Sequence, residues 1–433
     1  MSERTNWSGG VRFRPERCLT PSSEAELVAA LRRCSAPVRA VGAGHSFSPL
    51  IETQGSSISL DALQGVVNVD AQGLTATLRA GTRIHALGRP LLEAGVALIN
   101  QGDIDRQSIG GAVGTGTHGT GPALGSLSAE LQGFRLVTAE GQVLDCSRAS
   151  DADLWAAGCV SFGSLGVMSE VTLNVRRAYK LRERQWRMTR DQCFRELATY
   201  RDAARHFELF CFPHAEMVLA KSLTETHEPC APPLTSAQLL ERGEGFGIEQ
   251  RVFAAAAELA RVAPALSGPV QRFFSRAGTF GQAGRVGYSH EVFPSPRGVK
   301  FNELEYAVAA KDGVDCIREL AEAMRQRKVA GVYPLEMRFI RADHGWLSPF
   351  YQRDSVSISV HQYHKQPYRE VFGLAESIFS RYEGRPHWGK LHNSKAADLE
   401  RLFPRFDDYR ALRRRLDPKG KLLNPHLKGI FGE

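Results

Sequence analysis

Long hydrophobic runs are the first thing this chain lacks. No stretch approaches the roughly 20 apolar residues needed to span a bilayer, so no membrane is expected among its partners. The opening MSERTNWSGG has no apolar run of the kind a secretory leader carries, which makes the cytoplasm the expected location. Asn6-Trp7-Ser8 fits the N-glycosylation pattern, but that modification needs a secretory route which nothing else in the sequence supports. Paired cysteines are missing too. The eight, at 18, 34, 146, 159, 193, 211, 230 and 316, form no CxxC and no zinc-ligand spacing with histidine. Thiols scattered in this way read as reduced, so neither a metal centre nor a redox-active dithiol is expected. Low-complexity tracts and internal repeats are absent.

Charge of one sign is not concentrated anywhere either. The net charge is +8, yet the basic residues are dispersed, and the densest group is Arg413, Arg414 and Arg415. These lie in a C-terminal stretch that reads as a helix with a solvated basic face. No RNP-type motif or stacking platform accompanies them, so nucleic acid is not expected as a partner. What is present is an ordinary globular composition, 42% hydrophobic and 24% charged, over 433 residues, which suits two large folding units.

The first third alternates helix and strand signals. Ser23-x-x-Glu26 is a capping box, and Leu27, Val28 and Leu31 give the following helix an apolar stripe. Residues 38–41 form a short apolar strand, with further strand-like runs at 57–60, 66–69 and 75–78. A helix is expected over 85–94, a strand over 96–99, and a hairpin over 134–146 turning at Glu140-Gly141. Leu154 and Trp155 begin a helical stretch, and a strand over 167–175 closes this α+β unit near residue 176.

Beyond it, Pro232-Pro233 and the glycines at 243, 245 and 247 mark a loop-rich middle. Three later segments alternate as strands do. Period two places Glu336 and Arg338 together on one face of 335–339. The same rule aligns Ser355, Ser357, Ser359, His361 and Tyr363, with Val356, Ile358 and Val360 opposite, and pairs Glu303 with Glu305 in 301–308. An antiparallel sheet with one wet face accounts for such alternation. The ceiling of a polar pocket accounts for it equally, since a plain solvent face seldom offers Glu, Arg, His and Tyr together.

Two glycine-rich stretches ask for a ligand. In Val41-Gly42-Ala43-Gly44-His45-Ser46-Phe47-Ser48, a strand runs into glycines that bring backbone N–H groups close to a bound group, as phosphate requires. Residues 108–121 read SIGGAVGTGTHGTG and contain a literal GxGxxG at Gly114, Gly116 and Gly119. A nicotinamide fold needs an apolar strand before those glycines and a helix after them. Here Gln107-Ser108 precedes and Pro122 follows, which excludes that reading. A backbone wrapped round a large phosphate-bearing ligand remains.

These stretches, with LGVMSEVTL, FNELEYAV, Glu336-x-Arg338 followed by Trp346-Leu347-Ser348-Pro349, and RPHWGKLH, resemble the vanillyl-alcohol-oxidase superfamily of FAD enzymes. The sugar branch, aldonolactone and alditol oxidases, matches best, and the likeness runs from Asn6-Trp7 to Asn424-Pro425. The resemblance implies an α+β two-domain flavoprotein. An FAD-binding domain would take residues 1–176 plus a tail at 401–433. A cap domain at 177–400 would lay an antiparallel sheet over the flavin. It further implies FAD bonded covalently to His45. Val41, Gly42, Ala43, Gly44 and Ser46, with Ser108, Gly110, Gly111, Gly114, Thr115, Thr117, His118 and Gly119, would hold the pyrophosphate and ring system. Val167 would meet the adenine end and His392 would sit beside the cofactor.

Flavin chemistry on an alcohol moves hydride from carbon while the hydroxyl proton is taken up. By the same resemblance Glu336 and Arg338 would bind substrate hydroxyls, Lys390 would lie near the reacting hydroxyl, and His361 would orient the substrate. Lys390, assisted by His361 or Glu336, is the expected proton acceptor; pairing of Glu336 with Arg338 or Lys390 is the structural alternative. Gly110 falls where dioxygen would reach the flavin, and a residue without Cβ leaves room there, favouring an oxidase that makes hydrogen peroxide. The expected substrate is small and sugar-like: an aldonolactone, a polyol or a sugar derivative. Tyr363, bulky for a polyol site, argues against a simple alditol. A dehydrogenase passing electrons to a quinone or cytochrome, an oxidase of a larger substrate such as a nucleoside, and a non-catalytic basic binding protein stay open.

Overall fold

The computed structural model describes residues 3–433 apart from 36, 231–247, 278–283, 296 and 297. The expected loop-rich middle at Pro232-Pro233 and Gly243, Gly245 and Gly247 lies outside the described residues.

The N-terminal part is built on two sheets. A parallel trio sets Ser56–Ser59 between Arg17–Leu19 and Val38–Val41. A mostly antiparallel sheet runs Val143–Ser147, Leu131–Val137, Val167–Arg177, Thr75–Arg79, Val66–Asp70, with Val96–Leu98 joined to the far end of Val167–Arg177. The hairpin, the helices and the strands read from periodicity are all present, each within a few residues of its expected bounds. Helix Glu24–Arg33 starts on Ser23, whose hydroxyl accepts the Glu26 N–H. The reciprocal half of the box is displaced, because the Glu26 carboxylate takes the Ser22 amide rather than that of Ser23. Two short strands, Arg4–Thr5 and Arg12–Phe13, were not legible in the sequence.

One core gathers this part and reaches well beyond it. Leu27, Leu78, Phe134 and Val171 share it with Trp346, Leu347, Trp388, Leu399, Phe403, Tyr409 and Phe431. Packing therefore crosses the boundary expected at residue 400. The C-terminal helices Ala396–Leu402, Phe406–Leu416 and Pro425–Phe431 close it. In the second of these, Arg413 is not on a solvated face. It is 2% exposed and holds the Asp417 carbonyl and the Glu433 carboxylate, leaving Arg414 and Arg415 outside.

The second core lies under an eight-stranded sheet ordered Val286–Tyr288, Lys180–Thr189, Met217–Thr226, His206–Cys211, Leu335–Ile340, Ser355–Tyr363, Phe301–Ala309, Arg385–Pro386, antiparallel throughout. Helices Gly313–Gln326 and Arg369–Arg381 cover one face, burying Phe207, Leu209, Met337, Ile358 and Leu304 against Ile317, Leu320, Phe372 and Phe379. Alternation sends every second residue to the opposite face. That face is polar but not wet: Glu208, Lys221, Glu303, Glu305 and Glu336 are each about 5% exposed or less. It is turned toward the glycine-rich loops, since His118 of the 108–121 stretch reaches Glu305. No described helix is long and apolar enough to cross a membrane.

Candidate active site

A cleft open to solvent runs between the two glycine-rich stretches. Val41, Gly42, Ala43, Gly44, His45 and Ser46 line one side; Ser108, Gly110, Gly111, Gly114 and Thr115 line the other, and Val167 lies at one end. The glycines have local reasons. A Cβ on Gly42 would overlap the Ser108 hydroxyl and stand 3.3 Å from its Cβ, so the two loops meet closely here. A Cβ on Gly110 would stand 2.8 Å from the Ala80 Cβ and 3.1 Å from its carbonyl oxygen. Close packing on Ala80 therefore demands glycine at 110 whether or not dioxygen passes. Helix Ile109–Gly114 precedes the glycines of the GxGxxG instead of following them, as the exclusion of a nicotinamide fold requires.

His45 lines this cavity, and among the described residues nothing hydrogen-bonds its Nδ1, a buried atom. Burial, then the positive charges of Arg83, Lys390 and Arg106, push the imidazole down to about 4, so the ring is neutral and its lone pair free. Beneath the same loops lies Arg39, 2% exposed. Its guanidinium donates to four carbonyls: Leu50 (2.6 Å), Phe162 (2.5 Å), Gly163 (3.1 Å) and Leu422 (2.6 Å). Burial lowers it to about 10. Three segments far apart in sequence are thus pinned to the strand that feeds the His45 loop.

Four expected cofactor residues do not line the cavity. Thr117 accepts a hydrogen bond from Gln107 Nε2 at 3.0 Å. Gly119 packs against Asn100 and Gln101. His392 stacks edge-on to Trp388 near His426. His118 belongs to the sheet: its Nδ1 meets the Gly119 carbonyl at 2.8 Å and its Nε2 the Glu305 carboxylate at 2.6 Å.

Cross-strand register assembles the rest. Lys221 stands opposite Glu208, and Glu208 opposite Arg338; Glu336 stands two residues along, and Glu303 opposite His361. The result is one chain of alternating sign. Lys221 Nζ is 2.9 Å from Glu208, whose other oxygen is 3.1 Å from Arg338. Arg338 also pairs with Glu336 and, at 3.4 Å, with Asp103. His361 Nε2 lies 4.0 Å from Glu336 and 3.5 Å from Glu303. Lys390 Nζ is 2.6 Å from Glu303 and 3.7 Å from Glu305, which His118 and the Ser357 hydroxyl complete. Burial alone would raise these carboxyls. Lys390 and His361 overcome it at Glu303, and His118, His387 and Lys390 at Glu305, holding both far below the usual carboxylate range. Arg338, despite burial, is raised by Glu336, Glu208 and Asp103.

Glu336, Arg338, His361 and Lys390 are therefore brought together, with Lys390 paired to Glu303 and not to Glu336. The Phe47 amide donates to Gly389 O, the Ser48 hydroxyl to Trp388 O, and the His387 and Leu391 amides to Glu305 and Glu303. The HWGK segment thus stitches the His45 loop to the sheet, and this places Lys390. Tyr363 is not in the group. Its hydroxyl donates to Glu258 at 2.7 Å and its ring packs on Ala257, Ala260 and Val332, so its bulk is no argument about substrate shape. Asp103, Glu208 and Lys221 went unnoticed in the sequence. The signal for the last two was a lone ionic residue inside each of the runs HFELFC and MVLAKSL.

A family model described as D-arabinono-1,4-lactone oxidase matches residues 171–430, and one described as an FAD binding domain matches 15–147. The chain is 35% identical to an L-gulono-1,4-lactone dehydrogenase of Mycobacterium tuberculosis over 99% of both chains. It is 31% identical to the L-gulonolactone oxidase of Bos taurus, covering 98% of this chain and 97% of that one. A cholesterol oxidase from B. sterolicum shares the fold, with a TM-score of 0.79 at 17% identity over 99% of this chain and 96% of the other.

Proposed function

The chain belongs to the D-arabinono-1,4-lactone oxidase family, and on that premise we propose that it oxidises a ring hydroxyl of an aldonolactone, with FAD held covalently by His45. It is an FAD-dependent oxidoreductase of sugar-like CH–OH donors; the lactone, the linkage and the roles below are the proposal. The observation that carries it is the buried chain of alternating charge that passes through His361 to Lys390. A polyhydroxy ligand needs many directed donors and acceptors in a dry place, which this face offers.

The cavity residues fit FAD. Gly42 to Ser46 offer backbone N–H groups to the pyrophosphate, His45 offers an unshared imidazole nitrogen, and Val167 with Phe162 flanks the far end. When bound, the flavin supplies a two-electron acceptor for hydride. The protein's own part is to hold the substrate and take the proton. Arg338, fixed by three carboxylates, donates to one hydroxyl, and Glu336 accepts from its neighbour. Lys390, held by Glu303 and Glu305, is arranged to donate, stabilising negative charge on the reacting oxygen.

His361 is the better base. Its Nε2 is backed by the Glu303 and Glu336 carboxylates, while nothing among the described residues binds the buried Nδ1. Carboxylates behind one nitrogen stabilise the imidazolium that forms when the other takes a proton. On this proposal His361, expected from sequence as an assistant to Lys390, takes the proton and Lys390 donates. Phe301 and Tyr333 pack on His361 as an apolar wall suited to the face of a ring.

Dioxygen is the proposed acceptor, giving hydrogen peroxide; the similarity to a dehydrogenase favours a second reading in which another acceptor takes the electrons. The deciding experiment is an anaerobic spectrum of the holoenzyme during addition of aldonolactones, alditols and free sugars in turn. Bleaching by aldonolactones and rapid recovery in air support the proposal. Slow recovery in air, with fast recovery on adding a quinone or cytochrome, replaces oxidase by dehydrogenase. No bleaching by any lactone refutes the substrate assignment.

A further inference from the structure

The Asn6-Trp7 pair has no part in the chemistry described so far, yet it is strapped to the loop that carries His45. The Trp7 amide donates to Gly44 O at 2.7 Å. The Asn6 side chain donates to Ser46 O at 3.0 Å and accepts the Val11 amide at 3.0 Å, and Asn6 is 3% exposed. These bonds bracket His45 on both sides. The Trp7 indole then lies over the imidazole, ring centroids 6.0 Å apart and planes 29° from parallel. Its other neighbours are Phe47 at 6.1 Å and Phe301 at 5.2 Å, and Phe301 touches His361 at 4.9 Å. The tryptophan thus stands beside the histidine of the loop and reaches the sheet through Phe301.

We infer that Trp7, seated by Asn6, is a positioning residue that holds His45 in the orientation needed to bond the flavin. The inference rests on the reading that His45 is the covalent anchor. Attachment joins a His45 ring nitrogen to the methyl carbon at the flavin ring edge. One C–H and one N–H bond break, one C–N bond forms, and two electrons and two protons leave, dioxygen taking them up as hydrogen peroxide. Such a step needs the nitrogen unprotonated and aimed within a few tenths of an ångström. The neutral, unshared Nδ1 meets the first condition. A flat aromatic partner on the ring meets the second, because it stops the imidazole turning about its side-chain bonds.

The test uses the whole chain produced without flavin and then given FAD in air. Covalent attachment is followed as flavin fluorescence that stays with the denatured polypeptide, and total bound flavin is measured in parallel. In Trp7→Leu, which keeps apolar volume but removes the flat face, attachment slows at least tenfold while total FAD binding stays near one per chain. Trp7→Phe, which restores a ring, regains most of the rate. Wild-type rates in Trp7→Leu overturn the inference. If Trp7→Leu binds no FAD at all, the same two readouts on Asn6→Ala decide, with slowed attachment expected and unchanged attachment overturning it. A wild-type chain whose flavin is wholly released by acid fails the His45 reading itself, and this inference with it. Attachment that survives in His45→Ala has the same consequence and points to a different anchor.

Discussion

Replacing Glu208 with glutamine removes one link from the charge chain and leaves Lys221 behind it. Both side chains are about 5% exposed and stand 2.9 Å apart, so neither can turn to water. Losing one partner of a buried pair costs about 3–5 kcal/mol, because the remaining charge has been taken out of water without compensation. Asp103 and Glu183 still act on Lys221 from farther away, which places the cost near the lower end, about 3 kcal/mol. For a unit of this size that is roughly 6–12 °C in thermal midpoint. In the double variant Glu208→Gln/Lys221→Met no orphaned charge remains, and most of the loss should return. Activity should not return with it. Arg338 has lost the same carboxylate in both variants and keeps only Glu336 and Asp103, so kcat/KM stays about tenfold down, about 1.4 kcal/mol. Thermal unfolding of the four corners of the cycle, with lactone kinetics on each, measures both. A single variant as stable as wild type, or a double variant that recovers activity along with stability, would refute the reasoning.

His361→Asn keeps a polar side chain but cannot take a proton; kcat should fall 10²–10⁴-fold with KM changed far less, and a fall of less than fivefold in stopped-flow reduction would return the role to Lys390. Acid should destabilise the fold through buried histidines. Burial pushes His206 down to about 3 and His387 to about 4, from 6.5. Between pH 6.5 and 4 the unfolded chain binds protons that the folded chain refuses. Their contribution is complete above pH 6.5 and is lost as pH falls, on the order of 1 kcal/mol per pH unit for each. Burial depresses His45, His392 and His426 in the same way, so thermal midpoints taken from pH 7 to 4.5 should fall, and His206→Asn should remove roughly a fifth of that slope; an unchanged slope in the variant would exclude His206 as a source. His45→Ala should release its flavin into the supernatant on acid precipitation, and yellow colour remaining in the pellet would identify another anchor.

Periodicity carried much of this structure because each strand's inner and outer residues differ sharply. Glu336-x-Arg338 and the serine series ending in His361 could be assigned to one face before any coordinates, and they share one. What periodicity cannot give is the partner across the strand. Glu208 and Lys221 sit in sheet neighbours whose register is a tertiary fact, and Asp103 arrives from a loop. The same limit misplaced Tyr363: parity put it beside His361, but Glu258, more than a hundred residues away in sequence, draws its hydroxyl aside. His118 shows the converse. Its glycine-rich setting suggested the cofactor, while the contact that defines it is with a glutamate 187 residues on. Local motif and long-range partner are independent kinds of information, and only the first is written in order along the chain.

Arg39 has a consequence for the order of manufacture. The carbonyls that quench its buried charge come from residues 50, 162, 163 and 422, and the last of these leaves the ribosome almost at the end of synthesis. Until then the guanidinium lacks its fourth carbonyl and the strand leading to His45 has no finished support. A nascent chain cannot complete the pocket it began in its first fifty residues. Loading of the prosthetic group is thereby deferred until translation is over, and a truncated product is left without a completed flavin pocket.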